Sequence, residues 1–291
     1  MKKYESIKLY TGSEMPMVGM GTMMLDMKGN MQEIVDNAIE AGFRMFDNAA
    51  LYGNEIPLGA ALKKNGIPRE ELFITNKLKN GHHQFDDAVN ECKKSLKNLG
   101  IDYLDLYLIH YPCPEHGMYK EAWKALEHLN KEGYVKNIGV SNFYIHHLED
   151  LLPTCEIMPA IDQFECNPYC TMEPLREYLK ERHIQPEAWF PLGGPVDRIK
   201  GEYDSTKNLY AEPVILAAAE NHGKTPAQIL LRWGVQNGLI VIPKSANPVH
   251  IKENIDIFNF ALSDAEMNKI NGLNEDYHGA PTGDNNNEYW D

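Results

Sequence analysis

Four side chains in this sequence have types that work together: Asp47, Tyr52, Lys77 and His110. Asp47 closes the short apolar run Met45-Phe46, and Tyr52 stands just before a turn at Gly53-Asn54. A tyrosine hydroxyl titrates near ~10 and is a poor acid at neutral pH. A lysine ammonium beside it favours tyrosinate and makes the hydroxyl a better acid. A carboxylate next to the lysine holds it charged and oriented, and a histidine can hydrogen-bond a substrate oxygen. Together the four suit protonation of a carbonyl oxygen while another group delivers a hydride. Singly, each has a plainer reading. Asp47 caps a helix, Tyr52 packs, Lys77 near Lys79 is solvated surface, and His110 is a satisfied core histidine.

What decides between these readings is the set of elements that would position them. Two apolar stretches around Thr11-Gly12-Ser13-Glu14 predict a hairpin, and Val18-Gly19-Met20-Gly21-Thr22 predicts a first buried strand and its loop. The chain then alternates. Helical spacing predicts helices over 31–41, 56–64, 85–99, 119–132, 145–152, 173–182 and 225–238. Thr225 and Pro226 are a cap and first-turn pair, and Gly133 stands at a helix end. Strands are expected at 45–46, 72–75, 104–109, 135–140, 160–163, 188–190 and 239–242. Such alternation gives βαβ units and a parallel sheet. Eight units in one chain favour an α/β fold of the (β/α)8 TIM barrel type with an N-terminal β-hairpin, a single domain over 1–291. In such a barrel the carboxyl ends of the strands share one face, so Asp47, Tyr52, Lys77 and His110 meet in one mouth. The long interval from 193 to 224, with an extra helix over 212–221, reads as an excursion at that mouth, a candidate lid. The tail from Asn274 reads as loop.

Composition excludes several classes. The 291 residues carry a formal charge of −14, which opposes nucleic acid and anionic membrane partners. No apolar run approaches the roughly 20 residues of a membrane span. The start, Met1-Lys2-Lys3-Tyr4-Glu5, lacks an apolar signal core, so a cytoplasmic protein is expected. Five scattered cysteines suit reduced thiols. Cys113 with His116 and Cys166 with Cys170 lie far apart and match no structural zinc pattern, so no metal is expected.

The motifs resemble the aldo-keto reductase superfamily over nearly the whole chain. Gly42-Phe43-Arg44 through Asp47 with Tyr52-Gly53-Asn54-Glu55 is similar to its first signature, Thr75-Asn76-Lys77 to its lysine motif and His110-Tyr111-Pro112 to its histidine motif. Gly139-Val140-Ser141-Asn142-Phe143 and Asp162-Gln163 resemble the nicotinamide segments, and Ile242-Pro243-Lys244-Ser245 with Glu253-Asn254 the adenosine end. The resemblance is nearest to bacterial diketogluconate and small-aldehyde reductases.

The resemblance implies NAD(P)H-dependent reduction of aldehydes or ketones to alcohols. The cofactor lies across the barrel mouth without a Rossmann domain. Tyr52 is the acid, Lys77 and Asp47 its tuning pair, and His110 the carbonyl orienter. Ser141, Asn142 and Gln163 hold the carboxamide, and Trp189 stacks on the nicotinamide. Gly21, Thr22, Asp47 and Leu192 also touch the cofactor. Lys244 and Ser245 meet the 2′-phosphate of NADPH (NADP+), and Glu253 and Asn254 the adenine end. Met23, Tyr52, His110 and Tyr111 meet a small-molecule carbonyl substrate. Several positions depart from the family's pattern: Asn48 for Thr, Phe190 for Ser, Asn167 for His, and Met23 and Tyr111 for bulkier aromatics. His250 replaces an arginine, so NADPH is expected to be preferred with NADH also accepted, and the preference to fall from about pH 6 to about pH 8 as an imidazole loses its proton. A monomer is expected. Two rivals have other functions: an NADPH-binding regulatory subunit with little turnover, and a phosphosugar isomerase or aldolase on the same barrel. The second would need phosphate-binding glycines that Ile242-Pro243-Lys244-Ser245 lacks.

Overall fold

A computed structural model describes residues 4–25, 29–193, 196–197, 202–203 and 207–286. The chain opens with a hairpin, β1 (Ser6–Lys8) against β2 (Glu14–Pro16), antiparallel with Ile7 opposite Met15. Gly12 turns it with φ +92°, a conformation few side chains adopt. Leu9 and Met15, both buried, plug one end of the barrel.

The barrel strands are β3 (Met20–Gly21), β4 (Met45–Asp47), β5 (Phe73–Leu78), β6 (Leu104–Ile109), β7 (Val135–Ser141), β8 (Ile161–Glu165) and β9 (Gln185–Trp189). β10 (Val196–Asp197) and β11 (Glu202–Tyr203) form a separate antiparallel ribbon, and β12 (Ile240–Val241) completes the barrel. All eight barrel strands run parallel, in the order β3-β4-β5-β6-β7-β8-β9-β12. The two ends meet. Val18 bridges Val241, Gly19 N–H donates to Val241 O at 2.9 Å, and Gly21 N–H to Pro243 O at 3.0 Å. A Cβ on Gly21 would stand 2.9 Å from Ile242 O, so this seam needs glycine to close.

The helices are α1 (Met31–Ala41), α2 (Glu55–Asn65), α3 (Phe85–Leu99), α4 (Tyr119–Lys131), α5 (Ile145–Leu151), α6 (Glu173–Glu181), α7 (Pro213–His222), α8 (Pro226–Gln236), α9 (Pro248–Ile255) and α10 (Asp264–Asn271). Each of α1, α3 and α4 buries one apolar stripe, as Ile34, Ala38 and Ala41 do on α1. α8 starts with Thr225 and Gln228 in a capping box, with Pro226 at its first turn. The sequence reading omitted α9 and α10. Both carry ordinary start signals: Asn247 accepts from Val249 N–H before Pro248, and Ser263 with Glu266 forms a capping box. β9 begins at Gln185, earlier than predicted, and ends at Trp189 because Phe190 turns out with φ +55°. The excursion from 193 to 224 contains the ribbon, a 3-10 turn Leu209–Ala211 and α7. Much of the candidate lid within it lies outside the described residues.

Side chains alternate across each strand, so residues two apart share a face. Along β6, Leu106 and Leu108 point into the barrel while Tyr107 and Ile109 face the helices. Each such buried leucine contributes about 1.5–3 kcal/mol. The inward positions change character toward the carboxyl ends. Met45 gives way to Asp47, Phe73 to Lys77, Leu108 to His110, and Ile161 to Gln163. An apolar floor thus carries a layer of buried polar groups at one end.

Candidate active site

That polar layer is tightly bonded. Lys77 Nζ donates to Asp47 Oδ1 at 2.6 Å and to Asn48 O at 2.9 Å, with Lys77 only 1% exposed. Burial pulls the Lys77 ammonium down. The charge of Asp47, then Tyr52 and Glu187, more than offsets this and holds it above its ordinary value. The Tyr52 ring lies over this ammonium, 5.4 Å from Nζ to the ring centroid. Tyr52 closes a 3-10 turn, Ala50–Tyr52, that Gly53 ends with φ +68°. His110 meets the Tyr52 ring edge-on at 6.0 Å between centroids. Burial, then the Lys77 charge, pushes His110 down to about 3, so the imidazole is neutral at pH 7. Its Nδ1 is buried with no hydrogen-bond partner.

A cleft of about 470 Å³ opens above this layer. Of the predicted residues, it brings together Gly21, Thr22, Met23, Asp47, Tyr52, His110, Tyr111, Ser141, Asn142, Gln163, Trp189, Leu192 and Lys244. Lys77 does not line it and lies buried beneath. Ser245, His250, Glu253 and Asn254 lie off the cleft, on the segment after β12 and on α9. His250 and Lys244 are exposed, and Asn254 is buried. Ser245 Oγ accepts from Asn247 N–H at 3.0 Å.

Several strand ends are braced to one another. Asn142, in the left-handed region with φ +62°, donates to His110 O at 2.9 Å and accepts from Trp189 Nε1 at 2.9 Å. Ser141 Oγ donates to Gln163 O at 2.8 Å. Gln163 Nε2 donates to Asp47 Oδ2 at 2.8 Å and to Glu187 Oε2 at 2.9 Å. Thr22 Oγ1 donates to Asn48 Oδ1 at 2.7 Å, which gives the departure at Asn48 a structural use. Asn167 likewise accepts from Tyr169 N–H at 3.0 Å and organises the turn that follows β8.

Sequence reasoning missed part of the wall. Ala280, Pro281 and Asn286 of the tail line the cleft, as do Phe190 and Tyr210. The tail as far as Asn286, where the described residues end, is loop, as expected, and firmly seated. Gly279 N–H donates to Glu165 Oε1 at 2.9 Å, and a Cβ on Gly283 would fall 1.9 Å from Asn142 O. Among the described residues, His146, His147 and Asp284 are the one trio of metal-ligand type that converges. His147 Nδ1 accepts from Tyr144 N–H at 3.1 Å, which leaves its proton on Nε2, 3.3 Å from Asp284. Burial, then the charge of His146, keeps His147 neutral by lowering it to about 4. The hydrogen bond that anchors the tail here is the one between His146 Nε2 and Asp284 Oδ1, at 2.8 Å.

The residues present fit a nicotinamide group. With the Asn142 and Gln163 N–H donors engaged in bracing, the wall offers acceptor oxygens, as a carboxamide NH2 requires. Trp189 offers an aromatic ring at the cleft, pinned through its indole N–H. Barrel, polar layer and cleft together form a candidate enzyme site. The sequence profile of the aldo/keto reductase family matches residues 17–275. Glyoxal reductase of Bacillus subtilis is 43% identical over 280 residues, covering 96% of this chain and 96% of its own. Human aldo-keto reductase family 1 member A1 is 40% identical over 294 residues, covering 93% of this chain and 90% of its own. A Bombyx mori aldo-keto reductase in complex with NADP superimposes with a TM-score of 0.88 at 36% identity, covering 97% of this chain and 96% of that one. The chain belongs to the aldo/keto reductase family and is an oxidoreductase. No described helix is long and apolar enough to cross a membrane.

Proposed function

We propose that this protein reduces small aldehydes and ketones to alcohols with NADPH, Tyr52 acting as general acid. The observation that carries the reading is the buried Lys77–Asp47 pair, 2.6 Å apart, directly under the Tyr52 ring. The dinucleotide supplies the hydride when bound. The chain's own residues do the rest. His110, neutral, orients the carbonyl oxygen by hydrogen bonding, and the Tyr52 hydroxyl transfers its proton to that oxygen as charge develops. Lys77 stabilises the tyrosinate left behind, and Asp47 keeps Lys77 charged and aimed. Ser141, Asn142 and Gln163 meet the carboxamide and Trp189 its ring, with Gly21, Thr22 and Leu192 along the path. Met23 and Tyr111 bound the substrate. The sequence similarity to glyoxal reductase supports a small carbonyl substrate. We take residues 1–291 as one barrel domain acting as a cytosolic monomer.

The test is NADPH oxidation against a panel of aldehydes, ketones and keto-sugars. Steady turnover of small aldehydes is expected. Tight NADPH binding with no turnover anywhere on the panel would favour the regulatory role instead.

Lys244, Ser245 and His250 support recognition of the 2′-phosphate, with Glu253 and Asn254 at the adenine. The exposed His250 stands on the first turn of α9, where backbone N–H groups favour an anion. His250→Arg adds a permanent charge and a planar fork. It should tighten NADPH by about 1–3 kcal/mol, the range for a hydrogen bond to a charged group, and leave NADH nearly unchanged. Direct titration of both cofactors decides this. Equal gains for the two would mean that this position meets only the adenine.

A further inference from the structure

The mechanism above gives no task to the buried acid that lies beside its lysine–aspartate pair. Glu187, on β9, is wholly buried inside the barrel, opposite Gln163 on β8 and Ile240 on β12. Its Oε2 accepts from Gln163 Nε2 at 2.9 Å, and its Oε1 has no partner. The titratable groups around it are Asp47 from β4, Lys77 from β5, and beyond them His110 at the end of β6 and Tyr52 above. β8 faces it with the neutral amide of Gln163, and β3 and β12 carry no titratable residue.

Two consequences follow from this arrangement. First, one amide nitrogen serves two carboxyl groups, Asp47 at 2.8 Å and Glu187 at 2.9 Å. Both N–H bonds of Gln163 are engaged, so what its side chain can present to the cleft is the acceptor Oε1. Turned the other way, that oxygen would face the ionised Asp47, an acceptor. Second, two ionised carboxylates beside the single Lys77 ammonium would leave an uncompensated charge in a dry interior. Asp47 holds the 2.6 Å bond to Lys77 and so keeps its charge, which leaves the proton to Glu187.

We propose that Glu187 is a positioning residue of this site. Through Oε2, which accepts from Gln163 Nε2, it helps keep the Gln163 amide oxygen turned toward the nicotinamide carboxamide. On losing its proton it adds a negative charge beside Lys77 and Asp47 that makes Tyr52 a weaker acid. Burial, then the Asp47 charge, raises Glu187 to about 8, which puts the change within the working range of an enzyme. The sign is definite. The added charge stabilises the protonated form of Tyr52, so carbonyl reduction slows as pH rises through that value. The proposal rests on the reading of Tyr52 as acid, but part of its test does not.

The test uses Glu187→Gln and Glu187→Leu. In the cofactor-free protein, infrared difference spectra between pH 6 and pH 10 should show in the wild type the loss of a buried protonated carboxyl that is missing from the Glu187→Gln spectrum, whatever Asp162, also wholly buried, adds to both. In Glu187→Gln the new amide oxygen still accepts from Gln163, so NADPH should bind within about twofold of wild type. Its kcat should lack the wild-type decline of roughly three- to tenfold between pH 7 and pH 9. Glu187→Leu removes the second anchor of Gln163 and should weaken NADPH about three- to tenfold, measured by fluorescence. Identical infrared spectra for wild type and Glu187→Gln, or an unmoved kcat profile in an active Glu187→Gln, would overturn the proposal. So would unchanged NADPH affinity in Glu187→Leu. A wild type that reduces no carbonyl would instead overturn the proposed function, and the infrared titration would still report on Glu187.

Discussion

Tyr52→Phe is expected to lower kcat for carbonyl reduction by roughly 10²–10⁴-fold, the usual contribution of general acid catalysis, with NADPH binding nearly intact. The substitution removes one oxygen and keeps the ring that packs against His110 and lies over Lys77. Packing and cofactor contacts therefore survive, and the proton does not. The structure also says why His110 cannot take over. An imidazole lowered to about 3 by burial and by Lys77 carries no extra proton at pH 7. It can lend a hydrogen bond to the substrate oxygen, but to give up a proton outright it would have to leave an imidazolate. The measurement is steady-state reduction of the best aldehyde from the panel, alongside fluorescence titration of NADPH. A phenylalanine variant with near-wild-type kcat would remove Tyr52 from the mechanism and make an external proton donor necessary.

That Asp47, Tyr52, Lys77 and His110 come together is legible because strand ends in a parallel barrel share one mouth. Asp47, Lys77 and His110 each follow an apolar run by a step that preserves the inward face, and a parallel barrel gathers such residues at one mouth. Glu187 follows the same rule, two residues before Trp189, yet went unread. The apolar pattern starts the strand at Ala188, whereas it begins at Gln185, so Glu187 reads from sequence as an ordinary charged residue. The cost of burying an acid is offset here by Gln163, a partner from the neighbouring strand that no local pattern announces. The helices α9 and α10 were a different failure, since Asn247-Pro248 and Ser263 with Glu266 are local signals and were present. The tail is the truly non-local part. Ala280, Pro281 and Asn286 reach the cleft because Gly283 packs on the Asn142 carbonyl and Asp284 meets two histidines of α5. None of these contacts spans fewer than a hundred residues of chain, and loop composition carries no trace of them.

Lys77→Met is the second large effect, and the structure sharpens what it should look like. Methionine matches the length of the lysine stem, but it removes the charge that favours tyrosinate, so kcat should fall on the order of 10²-fold or more. The variant also leaves Asp47 buried with Gln163 as its remaining side-chain donor. Removing one partner of a buried ion pair costs about 3–5 kcal/mol, a loss that urea denaturation at neutral pH should record. The pH window follows from the direction of the Lys77 shift. A lysine held above its ordinary 10.5 stabilises the fold throughout neutral pH and loses that contribution only as pH rises past that value. The stability of wild type and variant should therefore converge only in strong alkali. Because Lys77 does not line the cleft, NADPH affinity should change little. Asp47→Asn should differ in kind. Its new amide nitrogen would face Gln163 Nε2, donor against donor, where Asp47 Oδ2 now accepts at 2.8 Å. Gln163 must then turn, and cofactor binding should weaken along with the rate, although kcat falls less than in Lys77→Met because Lys77 keeps its charge. Lys77→Met with full activity and an unmoved pH profile would end the reading of Lys77 as the partner of the acid. A Lys77→Met variant that lost NADPH affinity as severely as Asp47→Asn would show instead that the pair serves the shape of the cleft, and the proton would have to be sought elsewhere.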